Sequence, residues 1–238
     1  MSFQGASNVV KLAPSDLTFL WEECRRCFWL KVKGVLKRPS SPFPKVFSLL
    51  DSQTKDYFAN QRTDRMASRI KPGVVSIGDR WVRSSPLEVP GHETRVVLQG
   101  KIDTALSFDD GTFGIIDFKT TEPKPMHVPF YGRQLHSYAL AAENPAEGAL
   151  RLAPVTQIGL LCVQPVAMIG VESSVAYKGA THFLDIDRDD EAFEAFLAQV
   201  VGLLEQARPP DQDQECSFCS YLAEGALVSL TGLFGGLT

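Results

Sequence analysis

The chain has 238 residues, 44% hydrophobic and 22% charged, the balance of an ordinary soluble globular protein long enough for one large domain or two small ones. No apolar run reaches the roughly 18 to 20 residues of a membrane span. The opening residues lack the basic-then-apolar pattern of a secretory leader, so the expectation is a cytoplasmic protein with no membrane contact.

The net charge of −4 argues weakly against nucleic acid, but residues 1–83 hold 15 Lys/Arg against 7 Asp/Glu, while residues 84–238 hold 9 against 21. The stretch APSDLTFLWEECRRCF reads as a helix. Ser15 is its cap candidate, and Leu17, Leu20, Trp21, Cys24 and Phe28 follow at helical spacing. Between Cys24 and Leu50 stand Arg25, Arg26, Lys31, Lys33, Lys37, Arg38 and Lys45, with no acid. Such a run could meet phosphates and release their counterions, or form a solvated helix face.

Residues 39–45 read as a loop, VFSLLDSQTKDYFANQR as a helix, and residues 71–92 as a Gly-, Pro- and Ser-rich loop with room for one short strand. Two β-rich runs within TRVVLQGKIDTALSFDDGTFGIIDFKTT flank Asp110-Gly111, a pair that tolerates positive φ and marks a hairpin. PFYGRQLHSYALAAE is a helix with Leu135, Tyr138, Ala139 and Ala142 on one face. TQIGLLCVQPV is a buried strand, THFLDID another, and DDEAFEAFLAQVVGLLEQA an amphipathic helix stopped by Pro209-Pro210. With no internal repeat, the order predicts an α/β domain whose central mixed sheet is covered by helices. It fills 1–238 as one unit: a core of about 92–205, a cysteine-bearing helical segment 1–70 and a tail 206–238.

Side chains alternate along a strand, so Asp117 and Lys119 share one face while Ile116 and Phe118 share the other. Pairing about the turn brings Asp103 near Asp117. Two close carboxylates repel, and a hard cation such as Mg²⁺ or Mn²⁺ relieves the repulsion through oxygen ligands. A lysine alongside could orient or deprotonate a metal-bound water, or stabilise charge developing on phosphate. The competing reading is an Asp and a Lys on an exposed sheet face.

GKID, GIIDFKTT and YGRQLHSYALA, taken in order, resemble the PD-(D/E)XK nuclease superfamily, in particular its RecB-like branch with the CRISPR-associated and AddB-type nucleases. The likeness covers about residues 95–142 and implies a restriction-endonuclease-like core. It implies that Asp103 and Asp117 hold the catalytic metal with the Phe118 carbonyl, that Lys119 serves the attacking water, and that Gln134 and Tyr138, four apart on one helix face, shape the site or hold the strand. Many relatives complete the metal site with an upstream helical His or Glu. This chain has no His between Cys27 and Gly91, which leaves Asp51 as the preferred substitute and Asp56 as the other. His136 reads as a helix-surface residue.

Of five cysteines, Cys162 reads as core packing. Cys24-x-x-Cys27 and Cys216-x-x-Cys219 bracket the domain, and four thiolates suit tetrahedral Zn²⁺ or a [4Fe–4S] cluster. The resemblance favours the cluster, because iron–sulfur relatives also bracket the core with cysteines. They place three after it, however, whereas here Cys27 stands in for the third, so zinc remains the alternative. Either metal would staple the first helix to the chain end. The expected function is a metal-dependent nuclease cutting single-stranded or end-containing DNA in repair, recombination or defence, alone or with a helicase or other nuclease subunit. The alternative is a nuclease-fold DNA-binding module with a weak or inactive centre.

Overall fold

The computed structural model describes residues 8–40 and 42–231. Residues 1–7 of the expected leader-free start, Ser41 of the proline loop and the tail from 232 onward lie outside the described residues.

The fold is organised by the expected hairpin. β3 (Arg95–Phe108) and β4 (Phe113–Lys119) pair antiparallel from Ser107↔Phe113 to Thr104↔Ile116. At the turn Gly111 takes the left-handed conformation, φ +83°, which costs a glycine little. Asp110 instead folds its carboxylate back onto the Thr112 N–H at 2.9 Å.

Four more strands complete a mixed six-stranded sheet of order β1-β3-β4-β5-β6, with β2 paired to β3. β1 (Val9–Leu12) runs parallel to β3, and β2 (Gly73–Arg83) runs antiparallel to it. β5 (Val155–Val171) runs parallel to β4, and β6 (Ser174–Ile186) returns antiparallel to β5. The parallel β4–β5 step needs a crossover, supplied by α4 (His127–Glu143).

Side-chain alternation gives the sheet two cores. On one face Ile115, Ile158 and Leu160 pack with Leu135 and Ala139 of α4, Phe193 and Val200 of α5 (Asp190–Leu204), and Phe28 of α2 (Arg25–Val32). On the other, Ile116 and Phe118 pack with Phe58, Met66 and Ile70, where α3 (Lys45–Phe58) ends. Cys162 is fully buried in the first core, as expected.

Several expectations need correction. The first helix is not continuous: a wide turn over Asp16–Leu20 leads into α1 (Trp21–Glu23), and the chain breaks at Cys24, whose backbone is extended (φ −165°, ψ 112°). Cys24 Sγ accepts the Cys27 N–H at 3.4 Å and so caps α2, whereas Ser15 makes no side-chain cap. The 71–92 loop contains an eleven-residue strand, β2. Its outward face and a bulge between Val75 and Ile77 blur the alternation that would have marked it. β1 and α6 (Ser217–Thr231) were unanticipated. β5 and β6 are longer than expected because their ribbon runs on to Val171↔Ser174 after β4 stops at Lys119↔Cys162. Among the described residues no helix is long and apolar enough to cross a membrane.

Candidate active site and cysteine centre

The β3–β4 ladder ends at Thr104↔Ile116, and the next pair in that register is Asp103 with Asp117. There the strands part, and Asp103 Oδ2 takes the Phe118 N–H at 3.0 Å in place of a ladder bond. Asp117 is only 5% exposed. Its Oδ1 accepts from Gln134 Nε2 at 3.3 Å, and the same amide reaches the Tyr138 hydroxyl at 3.1 Å. Asp117 Oδ2 is in ion-pair contact with Lys119 Nζ but accepts no directed hydrogen bond, and Gln134 Oε1 is equally without a donor. Asp103, Asp117, Lys119, Gln134 and Tyr138 all line one open cavity of ≈ 550 Å³, joined by Asp51, Lys101, Phe43 and Phe47. The five residues expected at the site are thus brought together.

Burial raises the Asp117 carboxyl above the usual range, with the Lys119 ammonium pulling against it and Asp103 adding to it. Burial also works against the charge on Lys119, but the Asp117 carboxylate outweighs it and the pKa rises. Lys119 is therefore a cation at neutral pH. The Tyr138 hydroxyl, desolvated by burial, is pushed up to about 12 and is neutral.

A second lysine was missed from sequence. Lys55 Nζ lies 2.7 Å from Asp51 Oδ2, 2.8 Å from Asp103 Oδ1 and 3.1 Å from Asp79 Oδ1. Burial opposes its charge, yet these carboxylates together raise its pKa above the usual lysine range. Lys55 follows Asp51 by one helical turn, so the i,i+4 pair was a readable signal. Asp79 carried none: it sits with a left-handed backbone, φ +48°, on β2, a stretch read as loop with one short strand. Asp51 reaches the cavity, while Asp56 is exposed and does not line it.

The donor set suits a hard divalent ion. It is all oxygen, from Asp103, Asp117 and Gln134; Gln134 Oε1 is a buried acceptor lacking a donor, a deficit that an ion with its own waters would relieve, and Asp117 Oδ2 is met by the Lys119 ammonium.

The four cysteines form a second centre. Their Sγ atoms all lie within 4.8 Å of one another, with Cys24–Cys219 at 3.8 Å, Cys27–Cys216 at 3.9 Å and Cys27–Cys219 at 3.7 Å. All are buried and none is disulfide-bonded. The break at Cys24 and the start of α6 turn both C-x-x-C pairs inward, and Arg38 Nη2 donates to Cys216 Sγ at 2.9 Å. Burial pushes the Cys27 and Cys219 thiols up. Burial opposes ionisation at Cys216 too, but the Cys219 N–H and neighbouring thiols bring it down. This group can hold a metal ion, and it joins the first helices to the last.

The basic run is largely committed to structure around this centre. Arg26 donates to the Pro210 carbonyl at 2.8 Å, Lys31 to Asp16 at 2.5 Å, Arg25 stacks on Trp21 at 3.6 Å, and Arg38 pairs with Glu23. His136 is not at the surface: it is 8% exposed, with Nδ1 on the Gly132 carbonyl at 2.8 Å and Nε2 accepting the Asp189 N–H at 2.9 Å. It ties α4 to the start of α5.

A mixed sheet wrapped by helices opens where two strands part over an Asp pair and a lysine, the arrangement expected of a restriction-endonuclease-like core. The family described as "PD-(D/E)XK nuclease superfamily" matches residues 38–223, and the chain belongs to it. No curated protein matches the chain. The solved structure titled "Crystal structure of SSO0001" superposes with a TM-score of 0.49 at 13% identity, over 93% of this chain and 87% of that one.

Proposed function

We propose that the protein is a single-domain, RecB-like deoxyribonuclease that hydrolyses phosphodiesters in single-stranded or end-containing DNA, with Asp103 and Asp117 holding Mg²⁺ or Mn²⁺. The observation that carries this reading is the convergence of the two aspartates, from adjacent strands, on one cavity with Lys119 against Asp117. When bound, the ion would activate water and draw charge from the phosphate. The chain's own residues supply the rest. Lys119, held protonated, suits charge stabilisation on the phosphate better than proton abstraction. Gln134 fixes the Asp117 carboxylate by its amide N–H and leaves its Oε1 toward the site, while neutral Tyr138 fixes Gln134. Lys55 neutralises Asp103 and draws α3 over the cavity.

The last contact also favours a second reading, a DNA-binding module whose carboxylate is already satisfied by an ammonium. A 5′-labelled single-stranded oligonucleotide with Mg²⁺ or Mn²⁺ separates the two. Shortening by the wild type, absent from Lys119→Ala, supports the nuclease; a mobility shift without shortening supports the binder.

For the cysteine centre we propose a single tetrahedral zinc ion. With Zn–S bonds of about 2.3 Å, tetrahedral thiolates stand roughly 3.8 Å apart, and three Sγ pairs at 3.7–3.9 Å within a group spanning no more than 4.8 Å support this alternative over the iron–sulfur cluster that led the sequence reading. A cubane gives each thiolate its own iron and spreads the sulfurs further. Unbridged thiols at this distance suit a reducing, cytoplasmic compartment. Colourless protein with one equivalent of zinc is expected; brown protein absorbing near the blue end refutes it.

A further inference from the structure

Next to the acid cavity lies a second cleft of ≈ 550 Å³, and Thr120, the residue after Lys119, lines both. One wall is α3, presenting Thr54 and Tyr57, and the other is the β5–β6 ribbon, presenting Val163 and Tyr177. The ribbon can form that wall because it leaves the sheet beyond Cys162. Among the described residues lining the cleft, the charged side chain is Arg65, which is exposed and enters no ion pair.

The two tyrosines are unusual for a surface. Tyr57 is 66% and Tyr177 41% exposed, leaving aromatic faces to water on opposite walls of one groove. Tyr57 is oriented by edge-on contact with Phe58 (4.9 Å, 78°), and Phe58 stacks on Phe118 (6.0 Å, 9°), the residue between Asp117 and Lys119. Packed rings therefore connect the cleft to the strand carrying the acids.

The geometry points to this cleft as the seat of an unpaired DNA segment leading into the acid cavity, with bases stacked on Tyr57 and Tyr177 and a backbone phosphate on Arg65. The inference rests on the nuclease reading and names the feature of the substrate that the site selects. Every base has a π-face that an aromatic ring can take up without regard to sequence. In a duplex those faces are hidden in the stack, so the cleft discriminates for unpaired strand. A cation that enters no ion pair among the described residues, beside two exposed aromatic rings, is complementary to a charged, base-bearing strand.

The test measures affinity in buffer without added Mg²⁺ by fluorescence anisotropy for a labelled oligo-dT and a blunt duplex, and Mg²⁺-dependent cleavage separately. Tyr57→Ala and Tyr177→Ala are each expected to weaken oligo-dT binding by roughly 5- to 100-fold, with duplex affinity unchanged. Tyr57→Phe and Tyr177→Phe, which keep the ring, stay near wild type. Arg65→Ala reduces the salt slope of oligo-dT binding by about 0.7. Because these side chains are exposed, the melting temperatures should match wild type. If the wild type cleaves single strands and the triple alanine variant binds and cleaves them as well, the cleft assignment is overturned and the nuclease reading stands. If the wild type cleaves nothing but the alanine variants lose oligo-dT affinity, the nuclease reading falls and the cleft survives as a binding site.

Discussion

Asp103, Asp117 and Lys119 come from one hairpin, whereas Cys24 and Cys219 meet across 195 positions of chain. The first group is open to a cavity, all-oxygen among its candidate ligands, and balanced by two ammonium groups. The second is closed, all-sulfur and buried, with one guanidinium at its edge. An open site with spare acceptors is suited to chemistry, and a closed one that joins distant segments is suited to holding the fold. If that division is right, damage to each should appear in a different measurement.

The largest effect belongs to the sulfur centre. Tying residues some 190 positions apart removes about 5 kcal/mol of loop entropy from the unfolded chain. Cys216→Ser, or removal of the metal by a strong chelator, should lower the melting temperature by more than about 10 °C. Cleavage by the surviving folded protein at low temperature should stay within roughly threefold of wild type. Loss of cleavage without loss of stability would break the comparison, because the centre would then be acting on substrate.

Asp117→Asn should give the converse. The amide has the same shape and can still meet Gln134, but it offers less charge to a cation, so cleavage should fall by about 10²- to 10³-fold. Because the folded-state pKa of Asp117 is raised, its ionised form costs the native state free energy at neutral pH. The neutral variant should melt at or slightly above wild type in buffer without added Mg²⁺, and a clear drop would mean that the carboxylate is structural.

Lys55→Met sharpens the contrast within the oxygen site. It leaves Asp51, Asp79 and Asp103 without their shared ammonium. These carboxylates are partly solvated, so the cost at low salt without added Mg²⁺ should be only about 1–2 kcal/mol. Mg²⁺ should restore part of it, since the freed Asp103 is available to the ion. Calorimetric Mg²⁺ affinity should rise in the variant; an unchanged affinity would mean that Lys55 does not compete at this site.

How far each region could be read from sequence follows from the same physics. The hairpin was legible because alternation, a turn glycine and the spacing of Asp103, Asp117 and Lys119 are local. Gln134 and Tyr138 were picked out by the resemblance to the family, and their spacing of four, about one helical turn, only put them on one face. The pairing of Cys24 and Cys27 with Cys216 and Cys219 was legible only because thiols have few other uses in pairs. Lys55 and Asp79 were not, since their meeting depends on how α3 lies over β2 and β3, and no pattern along the chain records it. β2 itself was hidden by its exposed face and bulge.

His136 sits where the two regions meet and carries the smallest expected effect. Its polar neighbour atoms, the Gly132 carbonyl and the Asp189 N–H, lie on α4 and at the cap of α5. α4 carries Gln134, and α5 carries Phe196, which packs edge-on against Trp21 (5.5 Å) just before Cys24. His136→Ala leaves a capping N–H unsatisfied and should cost about 1 kcal/mol, a shift of a few degrees in melting. Because the joint touches neither site directly, cleavage at low temperature should be unchanged. Combined with Cys216→Ser, the stability losses should add if the two regions open independently and exceed the sum if α5 transmits one to the other. A double mutant that melts no lower than Cys216→Ser alone would mean that α5 has already come away from α4 once the sulfur centre is lost.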